Sequence, residues 1–187
     1  QNLALGLLDE GADGMTSQQI AEAQERLGAT IGASGGADRS TVGLSALSAN
    51  LAPSLDLLAD VVQRPTFAPA EIERVRTQVL TAIAQEQKNP GTMGSRLLPA
   101  LLYGENHPYA TTATGRPEAV KAFTRDNIVD FTQRWLRPDN MEIFVVSSLP
   151  LAEIQPLLEQ RFGTWAAPAV AKGVKNFIAP PARPATQ

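Results

Sequence analysis

The clearest pattern in the chain is a helix, a break and a second helix between residues 3 and 28. Leu3, Leu7 and Leu8 share one side of a short helical stretch over residues 3–9, with Gly11 in reach of a C-cap position. Thr16 opens the next helix, and Gln19 three residues on completes a capping box. Ile20, Gln24 and Leu27 follow at helical spacing, and Gly28 supplies a left-handed stop. From Ala29 the period drops to two. Residues 30–34 and 40–47 read as an antiparallel pair around Gly35-Gly36-Ala37-Asp38, with Val42, Leu44 and Ala46 on one face.

Helical spacing then returns. Asn50 is placed to cap a helix whose stripe is Leu51, Leu55, Leu58 and Val62, ended by Arg64-Pro65. Pro69 suits a first helical position, Glu71 and Glu73 sit well against the helix dipole, and Ile72, Val75, Val79 and Ile83 carry the stripe towards Asn89-Pro90. Met93 to Tyr103 predicts a further helix with Leu97, Leu98, Leu101 and Leu102 inward, kinked or started later by Pro99. Residues 104–115 form a loop. Pro117 opens a short helix with Val120 and Phe123, and Thr124 caps another with Ile128, Phe131 and Trp135 on one face. Met141 to Ser147 is apolar on both faces, which predicts a strand interior to a sheet. Pro150 leads into a last helix carrying Ile154, Leu157, Leu158 and Phe162, closed by Gly163.

These about seven helices and three strands predict an α+β fold, with helices packed on a mainly antiparallel sheet. Three strands are few for so many helices, so further strands are expected before Gln1 or from a neighbouring domain. After Trp165 the periodicity gives way to Ala, Pro and Lys. The domain is therefore expected to span 1–165, and 166–187 to be a Pro/Ala-rich linker to a following domain.

Composition changes this picture mainly by exclusion. The 187 residues include no cysteine, which removes disulfides, thiolate zinc sites and cysteine nucleophiles, and one histidine, which removes any two-histidine metal site. A net charge of −3 with scattered Lys and Arg gives no footprint for nucleic acid. No apolar run approaches the ~18 residues that span a bilayer. No signal peptide is visible, and a start at Gln1 inside an amphipathic pattern reads as a processed protein or an excised piece.

Candidate chemistry is correspondingly thin. His107, followed by Pro108, reads as a turn residue held by backbone hydrogen bonds rather than a ligand or base. Asp9, Glu10 and Asp13 miss the spacing of a calcium loop and read as a solvated turn. Gly32, Gly35 and Gly36 lack the Gly-Lys-Ser/Thr and the following helix of a phosphate cradle, and read as hairpin glycines. Glu71, Glu73 and Glu86 read as surface charge opposite an apolar stripe. Trp135 and Trp165 read as core anchors, with Trp165 also placed to meet a following domain.

Five segments in order resemble one family. Leu7-Leu8-Asp9-Glu10-Gly11 leads to the capped helix that closes on Leu27-Gly28-Ala29, and 50–67 ends in Pro65-Thr66-Phe67. Glu71-Ile72-Glu73-Arg74-Val75-Arg76 follows, then Tyr103-Gly104 with His107-Pro108-Tyr109, then Arg137-Pro138-Asp139-Asn140-Met141. Together they resemble the zinc peptidases of the pitrilysin/insulinase type, whose domains come in active and degenerate copies. The resemblance implies a metallohydrolase-like domain of the pitrilysin/processing-peptidase kind. In the active copies zinc is held by His-x-x-Glu-His and a distal glutamate, with the motif glutamate as general base.

Laid from the shared Glu-Gly break, the motif positions fall near 2–6 and read Asn2-Leu3-Ala4-Leu5-Gly6; the distal position falls near Ala82, one helical turn short of Glu86. The chain thus resembles a degenerate first domain of a non-catalytic half. The resemblance assigns it no catalytic residue, no metal ligand and no cofactor of its own, and leaves its substrate-binding residues undefined. Zinc is expected in a partner domain or subunit of the His-x-x-Glu-His type, with a peptide substrate shared by the assembly. The Arg and Tyr that such a half contributes lie in its next domain, so neither Arg116 nor Tyr109 inherits those roles. A bacterial periplasm or envelope location is implied by the resemblance alone. The rival expectation is an independent protein-binding module or processing-complex core subunit without peptidase activity.

Overall fold

The computed structural model describes residues 1–105, 107–112, 114–175 and 179. The first turn of the chain is its centre. Helix α1 (Asn2–Leu5) and the turns after it bury Leu3, Ala4, Leu5, Leu7 and Leu8, and these five residues head the core cluster. At roughly 1.5–3 kcal/mol per fully buried aliphatic side chain, this short stretch is a main contributor to the core.

The Glu10-Gly11 break expected to cap this first helix does something else. Gly11–Ala12 (β1) and Met15–Thr16 (β2) pair antiparallel, and Asp13 and Gly14 between them both take positive φ, 48° and 82°. That is the two-residue Asp-Gly hairpin turn, whose twist needs a left-handed residue at both positions. Ala12 also bridges to Pro65, which ties this small hairpin to the segment that follows the helix ending at Gln63.

Helix α2 (Ser17–Leu27) is built as its sequence reads. The Thr16 hydroxyl accepts from the Gln19 amide at 3.3 Å, the Thr16 amide donates to Gln19 Oε1 at 2.9 Å, and Gly28 stops the helix at φ 60°. Gln24 Oε1 accepts from the Ile31 amide at 2.7 Å and so fixes where the next strand starts. Strands β3 (Thr30–Gly35) and β4 (Ser40–Ser45) pair antiparallel with Thr30 opposite Ser45 and Gly35 opposite Ser40. Ile31, Ala33, Val42 and Leu44 face the core and their neighbours face out, the alternation expected of a sheet covered on one side.

Helix α3 (Leu51–Gln63) is buried on two sides, through Ser54, Leu55, Leu57, Ala59 and Val61, because α2 and β4 lie on one flank and the last helix on the other. Asn50 does not cap it. Its side chain donates to the Leu27 carbonyl at 2.8 Å instead, pinning the end of α2 to the start of α3. Phe67 is buried with a left-handed φ of 49°, and Arg125 holds this bend by donating to the Phe67 and Thr66 carbonyls at 3.1 and 3.2 Å. Helix α4 (Pro69–Glu86) then buries Ile72, Val75 and Ile83.

Helix α5 (Pro90–Tyr103) departs from expectation. It begins at Pro90 under an Asn89 cap, Pro99 lies inside it, and Leu97, Leu98, Leu101 and Leu102 point outward at 46–69% exposure. No element among the described residues lies over this face. Helices α6 (Pro117–Ala122) and α7 (Arg125–Trp135) follow; Val120 and Ile128 are buried, and a second capping box joins Thr124 and Asn127. Trp135 and Trp165 are half-buried and outside the core, so neither is a core anchor. Trp135 lies under the backbone of Gly173, and Trp165 packs on Phe162 with ring centroids 6.5 Å apart.

The expected interior strand is the second departure. Residues 141–147 run between a 3₁₀ turn at Pro138–Asn140 and helix α8 (Leu151–Phe162), but they pair with no strand among the described residues. The class is α+β with antiparallel strands, and those strands form two separate two-stranded sheets. The physical reason is that a strand apolar on both faces needs neighbours along both edges, and the described residues place none there. Beyond α8, residues 166–175 are extended and folded back: Arg137 donates to the Val170 and Pro168 carbonyls, and Gly173 donates to the Arg134 carbonyl. The rest of the expected linker, 176–178 and 180–187, lies outside the described residues.

Candidate functional site

The positions that would carry a metal motif lie on α1, between β3 and α7 and against α4. Their chemistry is that of a core. Leu3, Ala4 and Leu5 are buried, Leu5 at 1% exposure, so the position a general base would occupy is a sealed aliphatic side chain. Asn2 turns towards the hairpin: its amide oxygen lies so close to Gly35 that a Cβ there would stand 2.6 Å away. Gln1 Nε2 donates to the Arg39 carbonyl and the Ser40 hydroxyl at 3.0 and 3.1 Å, so the start of α1 is fastened to the hairpin turn.

On the facing helix, Ala82 offers a methyl group. Glu86, one turn on, is committed elsewhere. Its carboxylate accepts from Arg96 at 2.7 Å and from the Thr114 hydroxyl at 3.2 Å, and Arg96 also donates to the Gly115 carbonyl. Glu86 is therefore half-buried in an ion pair that ties α4 to α5 and the 104–115 loop, rather than plain surface charge. Arg96 was not visible from spacing, because a cation ten residues beyond its partner follows no helical period.

Zinc takes imidazole nitrogen, thiolate or carboxylate oxygen, usually four donors in a tetrahedron. Asn2, Leu5, Gly6 and Ala82 provide no such group, so the residues at this place do not fit the ion. Among the described residues no group of three or more His, Cys, Asp or Glu side chains is arranged to hold a metal.

The other candidates resolve into structural roles. His107 is 8% exposed, its Nδ1 accepts from the Tyr109 amide at 3.1 Å, and its ring stacks on Tyr103 at 5.1 Å between centroids. It is the turn residue that its sequence neighbours predict. Glu10 pairs with Arg74, which also pairs with Glu71, and Asp13 pairs with Arg64 at 3.1 Å. Glu73 pairs with Arg76, whose guanidinium also donates to the Phe123 carbonyl. Glu10 and Asp13 are thus held by separate arginines, and the acids of the turn do not converge on a cation. Asp9, Glu10, Ser17, Gln24 and Arg74 line an open depression of about 410 Å³. Burial there pushes the Asp9 carboxyl above the usual carboxylate range. Gly32, Gly35 and Gly36 lie on the β3–β4 hairpin, where no helix begins.

With the fold and the motif positions placed, two family models match the chain. Residues 7–114 match "Insulinase (Peptidase family M16)" and residues 122–187 match "Peptidase M16 inactive domain". The first covers more than half of the chain, and the protein belongs to the M16 peptidase family as a degenerate member. An uncharacterized zinc protease of Mycobacterium leprae is 28% identical over 84% of this chain and 35% of its own length; one of Rickettsia bellii is 25% identical over 91% and 40%. Among solved structures, a peptidase M16 inactive domain from Pseudomonas fluorescens is 28% identical, with a TM-score of 0.87 over 96% of this chain and 43% of that one. Pitrilysin, at 20% identity and a TM-score of 0.75, shares the fold. The chain thus spans well under half the length of these relatives. No helix among the described residues is long and apolar enough to cross a membrane.

Proposed function

We propose that this chain is a non-catalytic domain of a zinc-dependent peptidase, which docks onto a zinc-bearing half and helps wall the chamber that holds the peptide. One observation carries the reading: the helix that would bear His-x-x-Glu-His is a buried aliphatic plug, Leu3-Ala4-Leu5, at the centre of the core. A helix used this way supports a domain and offers neither a Lewis acid nor a base to a scissile bond. Zinc, on this reading, belongs to the partner, as the relatives' names as zinc proteases support. The bacterial periplasm or envelope is the compartment that goes with this role, and cell fractionation checks it separately.

The test is cleavage of an unstructured peptide by a zinc-bearing half, before and after this chain is added. The reading expects no cleavage by the chain alone and a rise on mixing. A complex that forms without changing the rate favours the rival, a binding or core subunit, and cleavage by the chain alone overturns the reading.

A further inference from the structure

Residues 166–187 have the composition of a linker, yet the part from Pro168 to Lys175 is fastened to the domain along its length. Arg137, 6% exposed, donates to the Val170 and Pro168 carbonyls at 2.7 and 3.3 Å. Lys172 pairs with Asp139 at 3.3 Å. The Gly173 amide donates to the Arg134 carbonyl at 3.1 Å. Gly173 is also seated against the Trp135 indole so closely that a Cβ there would stand under 3.0 Å from ring carbons. Lys175 pairs with Asp38, donates to the Ala37 carbonyl at 2.8 Å, and lies over the Tyr109 ring at 5.1 Å from its centroid.

The two ends of this stretch are held by different physics. Gly173 does not take a positive φ, so what glycine supplies there is room for the Trp135 ring and not a special backbone. That end is a steric fit, backed by the buried Arg137. At the other end, an ammonium meets a carboxylate that is 60% exposed, a carbonyl and a ring face, and the Tyr109 hydroxyl donates to Asp38 at 2.9 Å. Exposed ion pairs and cation–π contacts are weak on their own and need their partners already in place. Among the described residues, the bond from Gly173 is the one backbone–backbone hydrogen bond of 168–175, and none of these residues belongs to the core cluster. A stretch held by side chains at separate points, outside the core, can open locally while the rest stays folded. Its far end reaches the β3–β4 turn, which Gln1 holds from the other side through the Arg39 carbonyl and the Ser40 hydroxyl.

We propose that residues 168–175 are a strap that closes and opens as one unit between the end of α7 and the β3–β4 turn. The fit of Gly173 on Trp135 sets the closed state, and Lys175 is a latch that this fit brings within reach of Tyr109 and Asp38. Opening uncovers the Tyr109 ring, frees one side of the turn at 37–40 and leaves the core in place. The strap does not depend on the peptidase role.

The experiment is proton NMR of the whole chain, because ring currents move protons held over an aromatic face upfield. The closed strap puts the Gly173 α-protons upfield at Trp135 and the Lys175 methylene protons upfield at Tyr109. Gly173→Ala drives a methyl group into the ring. It should return the Lys175 signals, two residues away, to their positions in unstructured peptide, while cooperative urea unfolding persists. Lys175→Met should leave the Gly173 signals upfield, since the fit does not need the latch. With Trp135→Ala already in place, Gly173→Ala should no longer move the Lys175 signals. Lys175 signals that stay upfield in Gly173→Ala overturn the proposal, as do Gly173 signals lost in Lys175→Met. Loss of cooperative unfolding in Gly173→Ala also overturns it, because the stretch then belongs to the core. So does an equal effect of Gly173→Ala without Trp135, because the fit is then not the cause.

Discussion

Residues 3–8 and residues 97–102 are both short, leucine-rich stretches, and they meet opposite fates. Leu3, Leu5, Leu7 and Leu8 are 0–7% exposed, whereas Leu97, Leu98, Leu101 and Leu102 are 46–69% exposed. Spacing and hydrophobicity do not separate them. Their surroundings do: α1 is enclosed by β3, α4 and α7, while α5 is anchored along its polar side by Arg96 and Glu86 and has nothing over its leucines among the described residues. An apolar stripe records that a surface is to be covered, and it does not record whether the cover lies in the same stretch of chain.

The sharpest way to break this contrast is one substitution in each region. Leu5→Glu puts an unpaired carboxylate into a 1%-exposed site and should cost more than about 3 kcal/mol, losing cooperative urea unfolding. Leu101→Glu, at 69% exposure, should change stability by no more than about 0.5 kcal/mol in the same assay. Equal effects would erase the distinction.

The next effect concerns what holds the segment after α7. Arg137 is 6% exposed and bonds Asp139 together with the Val170 and Pro168 carbonyls. Arg137→Met leaves the Val170 and Pro168 carbonyls without this donor and should cost about 1–3 kcal/mol by urea unfolding. Thr16→Ala, which removes the α2 capping box, should cost about 1 kcal/mol.

Smallest is the pH effect at Asp9, whose carboxyl burial holds above its usual range. A raised carboxyl favours the neutral form in the fold. Its charge therefore costs nothing in acid below the ordinary aspartate range and weighs against the fold as pH rises from there through the raised value, above which the cost is constant. Asp9→Asn should raise Tm slightly at pH 7, with the gain disappearing in acid. Asp139 has the opposite sign: the bond from Arg137 holds its carboxyl below the usual range, so its contribution is present at neutral pH and is lost as pH falls through that lowered value.

Local signals in the sequence carried over well. Thr16 with Gln19, Gly28, Pro69 and the Thr124 start are made by a few neighbouring atoms, so they read directly from spacing. The Asp13-Gly14 hairpin is equally local, since Asp-Gly is a signature of its turn, but Leu7 and Leu8 extend the apolar pattern past the helix end at Leu5, so the segment reads as a helix end instead. Asn50 failed as a cap because a long-range acceptor, the Leu27 carbonyl, competed for its side chain. The inward α5 face and the interior strand at 141–147 depart from expectation for a shared reason: each calls for a partner that the described residues do not place there. At the motif positions the sequence was sufficient, because Asn2-Leu3-Ala4-Leu5-Gly6 contains no zinc donor whatever its geometry.

The most direct test of that conclusion is the zinc content of the purified chain, measured by elemental analysis after equilibration with zinc and removal of the unbound ion. The account predicts far less than one zinc per chain, and the same unfolding midpoint with or without a chelator. One tightly held zinc per chain, with a midpoint that falls on chelation, would contradict it.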